Sequence, residues 1–228
     1  MKEKGFFIRI GPVDYQQAWD LQHRLWAKRV NRVVPDTVLF LEHPHTITLG
    51  RRGNRIHLKV SPEELERLKI PLVRVERGGD VTYHGPYQAV VYPILRLAGL
   101  GLNVRQYIDR LEECLIQTLK DFAIKGKRSV DNRGVWVGEK KIASIGVALR
   151  RGVSFHGLAL NYNTDLRYFE MISACGLPDV KMTSMTEILG RQVFQDELFK
   201  PLSLHFRTLF KKDWQEVSLR YVEKLLKD

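Results

Sequence analysis

The stretch from Arg133 to Pro178 constrains the fold more than any other part of the chain. Val135-Trp136-Val137 is β-branched and aromatic, and Gly138-Glu139 is a turn. Apolar alternation resumes from Lys141 to Leu149, Arg151-Gly152 turns the chain again, and a third strand runs from Val153 to Leu160. A short helix follows, and then the loop Ser173-Ala174-Cys175-Gly176-Leu177-Pro178. Ala143, Ser144, Gly146, Gly157 and Ala159 are small where side chains that only had to pack would be larger. Glycine inside a strand marks close approach of a ligand, of another backbone, or a bulge, and the sequence leaves these open.

The two cysteines fall in different settings. Cys114 belongs to the stripe Val104, Tyr107, Ile108, Leu111, Cys114, Leu115, Thr118, Leu119, Phe122, whose three- and four-residue steps predict an amphipathic helix with a buried thiol. Cys175 lies between Ala174 and Gly176 in a loop, where reactive residues concentrate. It is the candidate nucleophile. A free thiol ionises near pH 8.5 until a neighbouring Lys, Arg or His lowers that value, and Lys140, Lys141, His84 and His156 are the candidates for the role. Lys141 stands in an otherwise apolar strand, whereas Lys140 belongs to the charged turn before it. An amine in such a strand can exchange a proton with a thiol; equally, it can be an edge lysine whose stem packs and whose head reaches water.

The remaining elements follow in order. Phe6 to Ile10 is a strand, and Asp14 with Gln17 opens a helix bearing Ala18, Leu21 and Leu25. Strands run from Thr37 to Leu41 and from Thr46 to Leu49. Gly50-Arg51-Arg52-Gly53-Asn54-Arg55 then forms a basic, glycine-containing loop suited to an acidic partner, a phosphate or plain solvent. His43 and His45 flank Pro44 without a third ligand at a useful spacing, so no metal is expected. Ser61-Pro62-Glu63-Glu64 starts a helix, and Leu72 to Val75 is a strand. The glycine-punctuated loop from Arg77 through Gly78, Gly79, Asp80, Val81, Thr82, Tyr83 and His84 to Gln88 carries more donors and acceptors than a hairpin needs, and it matches neither nucleotide-binding glycine fingerprint. A strand from Ala89 to Leu95 and a helix capped by Asn103 and Gln106 follow. Ser184 and Glu187 start a short helix that ends at Gly190. The tail from Asp196 reads as helix through Leu202, Phe206, Phe210, Val217, Tyr221 and Leu225, with Pro201 beginning or kinking it.

At 228 residues, with 44% hydrophobic and 28% charged content, the chain is expected to form one α/β (α+β) domain over 1–228, a mixed central sheet flanked by helices. No apolar run reaches the ~18 residues of a membrane span, and two cysteines make no disulfide framework. The start has no signal-peptide pattern. A cytoplasmic location without membrane attachment is therefore expected. The 37 basic and 26 acidic residues leave a formal +11. That charge favours acidic partners, and without any nucleic-acid-binding motif it does not indicate nucleic acid.

Three blocks, RGGDVTYHGP from Arg77, KIASIG from Lys141 with HGLALN from His156, and ACGL from Ala174, resemble the lipoyl(octanoyl) transferases, and the likeness runs from the first helix to about Glu187. The resemblance implies the fold shared with biotin and lipoate protein ligases. It also implies transfer of an octanoyl group from acyl carrier protein to a lysine of apo lipoyl domains, those of 2-oxoacid dehydrogenases and the glycine cleavage H protein. Carried over by position, Cys175 is similar to the acyl-thioester nucleophile and Lys141 to its proton-exchange partner. Arg77 to His84, Ser144, Ile145 and Gly146, and Gly157, Leu158 and Ala159 resemble the acyl-substrate pocket. Thioester exchange needs no ATP and no cofactor. Tyr87 departs from the glycine usual in the family, and Ala174 from the usual proline. The rival expectations are an ATP-dependent ligase of the same fold, a Cys/His hydrolase using His84 or His156, and a basic binding module without catalysis.

Overall fold

The computed structural model of the chain describes residues 4–130, 132–173 and 180–227. Its first half runs β1 (Lys4–Pro12), α1 (Tyr15–Val30), β2 (Asp36–Glu42), β3 (Thr46–Leu49), α2 (Pro62–Arg67), β4 (Leu72–Arg74), β5 (Val81–His84), β6 (Gln88–Ile94) and α3 (Val104–Asp121). The second half runs β7 (Lys127–Arg128), β8 (Val135–Val137), β9 (Lys140–Arg150), β10 (Val153–Asn161), α4 (Met185–Leu189), α5 (Gln195–Phe210), β11 (Asp213–Glu216) and α6 (Leu219–Lys227). Among the described residues eight strands make one sheet in the order β11-β1-β2-β6-β10-β9-β8-β7, and three make a smaller sheet in the order β4-β3-β5. β1 lies parallel to β2 and β11, and the rest of the large sheet is antiparallel.

The centre of this sheet is covered on both faces, which is why β2 and β6 read as continuous apolar runs. Successive residues go to opposite sides: Phe7 and Phe40 join α3 and α5, while Ile8 and Leu39 join α1. The α1 helix begins where the Asp14 carboxylate accepts the amides of Gln16 and Gln17, at 2.8 and 3.2 Å. The α3 helix begins with the reciprocal Asn103–Gln106 capping box. It buries Cys114 completely and the thiol's pKa is pushed up to about 12, with burial as the main cause. That cysteine is inert packing, as its place in the stripe predicts.

The β9–β10 hairpin closes through Arg151 and Gly152, whose φ values of +50° and +74° make the two-residue primed turn that suits twisted strands. Two expectations for the tail are corrected. Of the two roles expected of Pro201, beginning or kinking the helix, the first is ruled out, since α5 starts six residues earlier at Gln195. The helical pattern is also broken by β11, which pairs with β1 and buries Trp214 against Phe7 and Phe206. Only one residue of Asp213-Trp214-Gln215-Glu216 is apolar, so this edge strand is made by its distant partner. The donor-rich stretch expected to be a loop is likewise part strand, since Val81 to His84 pair with β3 in the small sheet. Among the described residues no helix is long and apolar enough to cross a membrane.

Candidate functional site

A cavity of about 350 Å³ opens over β9 and β10. Its wall contains Arg77, Gly78, Gly79, Asp80, Val81, Thr82 and His84, together with Lys141, Ser144, Ile145 and Gly146 of β9 and Gly157, Leu158 and Ala159 of β10. Segments far apart in the sequence are thus brought to one place. Tyr83 does not line the cavity. Alternation along β5 turns its ring into the small-sheet core, stacked 5.2 Å from Tyr168, with its hydroxyl 2.7 Å from His45 Nδ1. Cys175 lies outside the described residues, as do Ala174 and the rest of its loop to Asp179.

The roof of the cavity is set by the backbone. Gly50 N–H donates to the Asp80 carbonyl at 2.9 Å, and the amides of Arg51 and Arg52 donate to the carbonyls of Arg77 and Gly79 at 3.0 and 3.1 Å. Gly78 N–H donates to Val147 O at 2.9 Å, tying this double loop down onto β9. Buried Arg77 braces it, with guanidinium bonds of 2.7 Å to Thr48 O and 3.1 Å to Gly78 O. The small residues beneath answer the question left open by the sequence. A Cβ at Gly146 would lie 3.0 Å from Arg77 Cδ, and one at Gly157 would lie 2.0 Å from the Val91 carbonyl oxygen. At these two positions the close neighbour is the protein itself.

Lys141 is 2% exposed, on the second residue of β9. Its N–H donates to Lys181 O at 2.8 Å and its carbonyl accepts from Thr183 N–H at 2.9 Å. Its ammonium sits 5.6 Å from the centre of the Trp136 ring. Lys140 behaves differently: it points outward and pairs with Glu187 at 2.5 Å.

The far wall holds buried histidines and tyrosines. Tyr15 lies 4.9 Å from His43 and 5.6 Å from His84, ring centre to ring centre. Burial drives the pKa of His43 down to about 4 and that of His84 well below the ordinary value, and it raises that of Tyr15 to about 12. His156 is held at φ +54°, with Nε2 3.4 Å from Glu76 Oε2. Glu76 is held at about 2, chiefly by its hydrogen bond to His156. His156 pairs with Val147, six residues along β9 from Lys141, a span of about 20 Å at strand rise. Lys141 and His156, two of the four candidate thiol partners, therefore stand at opposite ends of the cavity.

Two residues that carry no role in the sequence-based expectations join the walls. His84 Nδ1 lies 2.9 Å from Gln88 Oε1, Gln88 Nε2 donates to Asn161 Oδ1 at 2.9 Å, and Asn161 Nδ2 donates to Thr183 O at 3.1 Å. Thr183 in turn is bonded to Lys141, so this buried amide relay fixes the segment after Asp179 against β9. The available signal was a polar residue at the end of each of two apolar strands, Gln88 and Asn161. Tyr15, Arg51, Arg52, Tyr92 and Arg133 also line the cavity unanticipated. Among the described residues no group of three His, Cys, Asp or Glu is arranged to hold a metal ion.

Comparison with known proteins bears on this arrangement. The family model of the lipoyl protein ligase A/B catalytic domain matches residues 14–207. An octanoyltransferase of Syntrophobacter fumaroxidans is 58% identical over 228 residues, covering 100% of both chains. One from Desulforamulus reducens is 40% identical over 208 residues, 91% of each chain. Among solved structures, the bi-partite lipoate protein ligase of Thermoplasma acidophilum matches with a TM-score of 0.76 at 17% identity, over 99% of this chain and 91% of that one. Biotin protein ligase of Aquifex aeolicus matches at 0.53 and 14% identity, over 100% and 74%. At such identities the likeness is one of fold: a mixed sheet flanked by helices, shared with lipoate and biotin protein ligases.

Proposed function

The chain belongs to the lipoyl protein ligase A/B catalytic-domain family, and we propose that it is an acyltransferase moving an octanoyl group from acyl carrier protein to a lysine of apo lipoyl domains. Domains of this kind occur in 2-oxoacid dehydrogenases and in the glycine cleavage H protein. The Cys175 thiolate attacks the carbonyl of the carrier thioester, a new thioester forms on Cys175, and the carrier thiolate leaves. Lys141 takes the thiol proton in this step and passes it to the departing carrier thiolate, which leaves as the free thiol. It then takes a proton from the acceptor lysine, whose amine attacks the octanoyl-Cys175 carbonyl. An amide forms and the Cys175 thiolate is released, so the cycle closes without nucleotide or cofactor.

The observation that carries this reading is the setting of Lys141. It is a buried lysine in the wall of a cavity of ligand-binding size, bonded through its own backbone to Lys181 and Thr183, six and eight residues beyond Cys175. Ile145, Leu158 and Ala159 give that cavity apolar surface for an alkyl chain, and each methylene buried there contributes about 0.8 kcal/mol. The 58% identical octanoyltransferase supports the choice of acyl group.

The test is intact-mass analysis after incubation with octanoyl carrier protein in the absence of ATP. An octanoyl adduct is expected on the wild type, to be lost in Cys175→Ser and discharged by apo lipoyl domain. Lys141→Ala is expected to slow acylation by a factor of about 10² to 10⁴, and His156→Ala much less. Product formed only from free octanoate and ATP would replace this reading with that of a ligase.

A further inference from the structure

The segment from Arg51 to Lys59 is a basic feature of the sequence that the acyl-transfer chemistry leaves unused. Arg51, Arg52, Arg55 and Lys59 are all exposed, and among the described residues none has an acidic partner at ion-pair distance. Some exposed arginines elsewhere are paired, Arg128 with Glu113, Arg133 with Asp109, Arg167 with Asp165 and Arg191 with Glu197. Arg24, Arg32 and Arg220, like the cations of this segment, have no acidic partner at ion-pair distance among the described residues. What sets this segment apart is the apolar surface between its cations. Asp80, which lines the cavity with Arg51 and Arg52, lies 2.8 Å from His57. Between the cations stands Ile56, 78% exposed. Beside them Arg55 rims a mainly apolar groove of about 320 Å³ lined by Leu58, Val60, Leu65, Ile70 and Leu72, with Glu66 as its one carboxylate.

The position of this segment matters as much as its charge. Arg51 and Arg52 border the cavity. Further on, Lys59 N–H donates to Met171 O at 2.8 Å, Ser173 N–H donates to His57 O at 2.7 Å, and Leu58 bridges to Ile172. The basic surface is thus bonded to the residues that lead directly to Cys175. An apolar centre with a charged rim is the anatomy of a protein-binding patch, and uncompensated cations steer an acidic partner toward it.

We propose that Arg55, Ile56 and Lys59, with the adjoining groove, dock the acidic face of the protein that delivers the acyl thioester. The cations meet its carboxylates, and Ile56 and the groove receive an apolar side chain between them. This rests on the acyl-transfer reading above: a donor seated here sets its acyl arm beside the chain leading to the nucleophile it must reach first. An acceptor domain must reach the same thioester in the second step, and the experiment below tells the two occupants apart.

The experiment compares two donors, octanoyl carrier protein and octanoyl N-acetylcysteamine, on the wild type, on the double variant Arg55→Glu/Lys59→Glu and on Ile56→Ser, with thermal melts confirming that each variant is folded. Acylation of Cys175 by the carrier is expected to fall about tenfold in the double variant at low salt. The deficit should shrink as ionic strength shortens the screening length to about 8 Å and below. Acylation by the small thioester should be unchanged. An unchanged rate with the carrier, an equal loss with both donors, or a defect confined to the KM for lipoyl domain would each overturn the proposal. If neither donor acylates the wild type, it is the acyl-transfer reading that fails. Docking is then decided by fluorescence anisotropy with unacylated carrier, where weaker binding by the double variant upholds it and equal binding overturns it.

Discussion

The layer that α3 and α5 make on the large sheet and the wall of the cavity are both buried, yet they are built by different rules. In the first, Leu111, Leu115, Phe199 and Phe206 interdigitate with Phe7 and Phe40. A polar exception, Thr118, satisfies its hydroxyl on the Cys114 carbonyl one turn back. In the second, Arg77, His84, Gln88 and Asn161 are equally buried, and each takes its partner from another strand or loop. Apolar burial is non-directional and scales with area. Polar burial is costly unless donor and acceptor meet at the right distance and angle. The first layer supplies stability, and the second trades stability for a fixed arrangement of groups.

The largest expected effect belongs to the apolar layer. Phe206 is fully buried against Phe7, Phe210 and Trp214, so Phe206→Ala should cost about 3–5 kcal/mol in urea unfolding. A much smaller loss would show that this layer can collapse around the gap. The next effect separates the two regions by pH. Below pH 6.5 the unfolded chain takes up protons that folded His43 refuses until about 4. Stability should therefore fall with pH across that window, by up to about 3 kcal/mol from His43, with buried His84 acting in the same sense. His43→Phe should remove its share, and a urea midpoint that stays flat from pH 7 to 4 would contradict the account.

A smaller change should come from the relay. Asn161→Ala leaves Thr183 O without its Asn161 donor and Gln88 Nε2 with only its 3.3 Å bond to Tyr83 O, at a cost of about 1–3 kcal/mol. Hydrogen exchange at the Thr183 amide should accelerate while that of the α3 amides holds its order. Uniform acceleration would mean that the relay only adds global stability. Least of all, Tyr87→Gly should stabilise the chain by up to about 1 kcal/mol, since Tyr87 is held at φ +60° with its ring 57% exposed. A loss on thermal melting would show that its edge contact with Tyr162, at 6.2 Å, outweighs the backbone strain.

Much of the apolar layer could be read in advance. The stripe through Tyr107, Leu111, Cys114 and Leu115 has helical period, the caps at Asp14, Ser61, Asn103 and Ser184 are local chemistry, and Arg151-Gly152 admits few turns. The same locality explains the failures. Trp214 lies in a segment whose strand character comes from β1, more than two hundred residues earlier. Pro201 was a plausible helix start because its effect on its neighbours is visible, while the packing that carries α5 past it is not. Tyr83 was grouped with the pocket because it stands among pocket residues in the sequence. A strand alternates, however, and that turns it to the opposite side.

Composition, periodicity and capping settled what most short stretches become, because those preferences act within a few residues. Cys114 was committed to the core on that basis, and Lys141 to a strand. Whether Gly146 and Gly157 make room for a ligand or for the chain itself was decided only when the Arg77 loop and β6 came to lie against them. The meeting of Gln88, Asn161 and Thr183 beside Lys141 was decided in the same way. Hydrogen bonds between buried groups have direction and reach, and the elements that satisfy them are aligned only by the folded sheet.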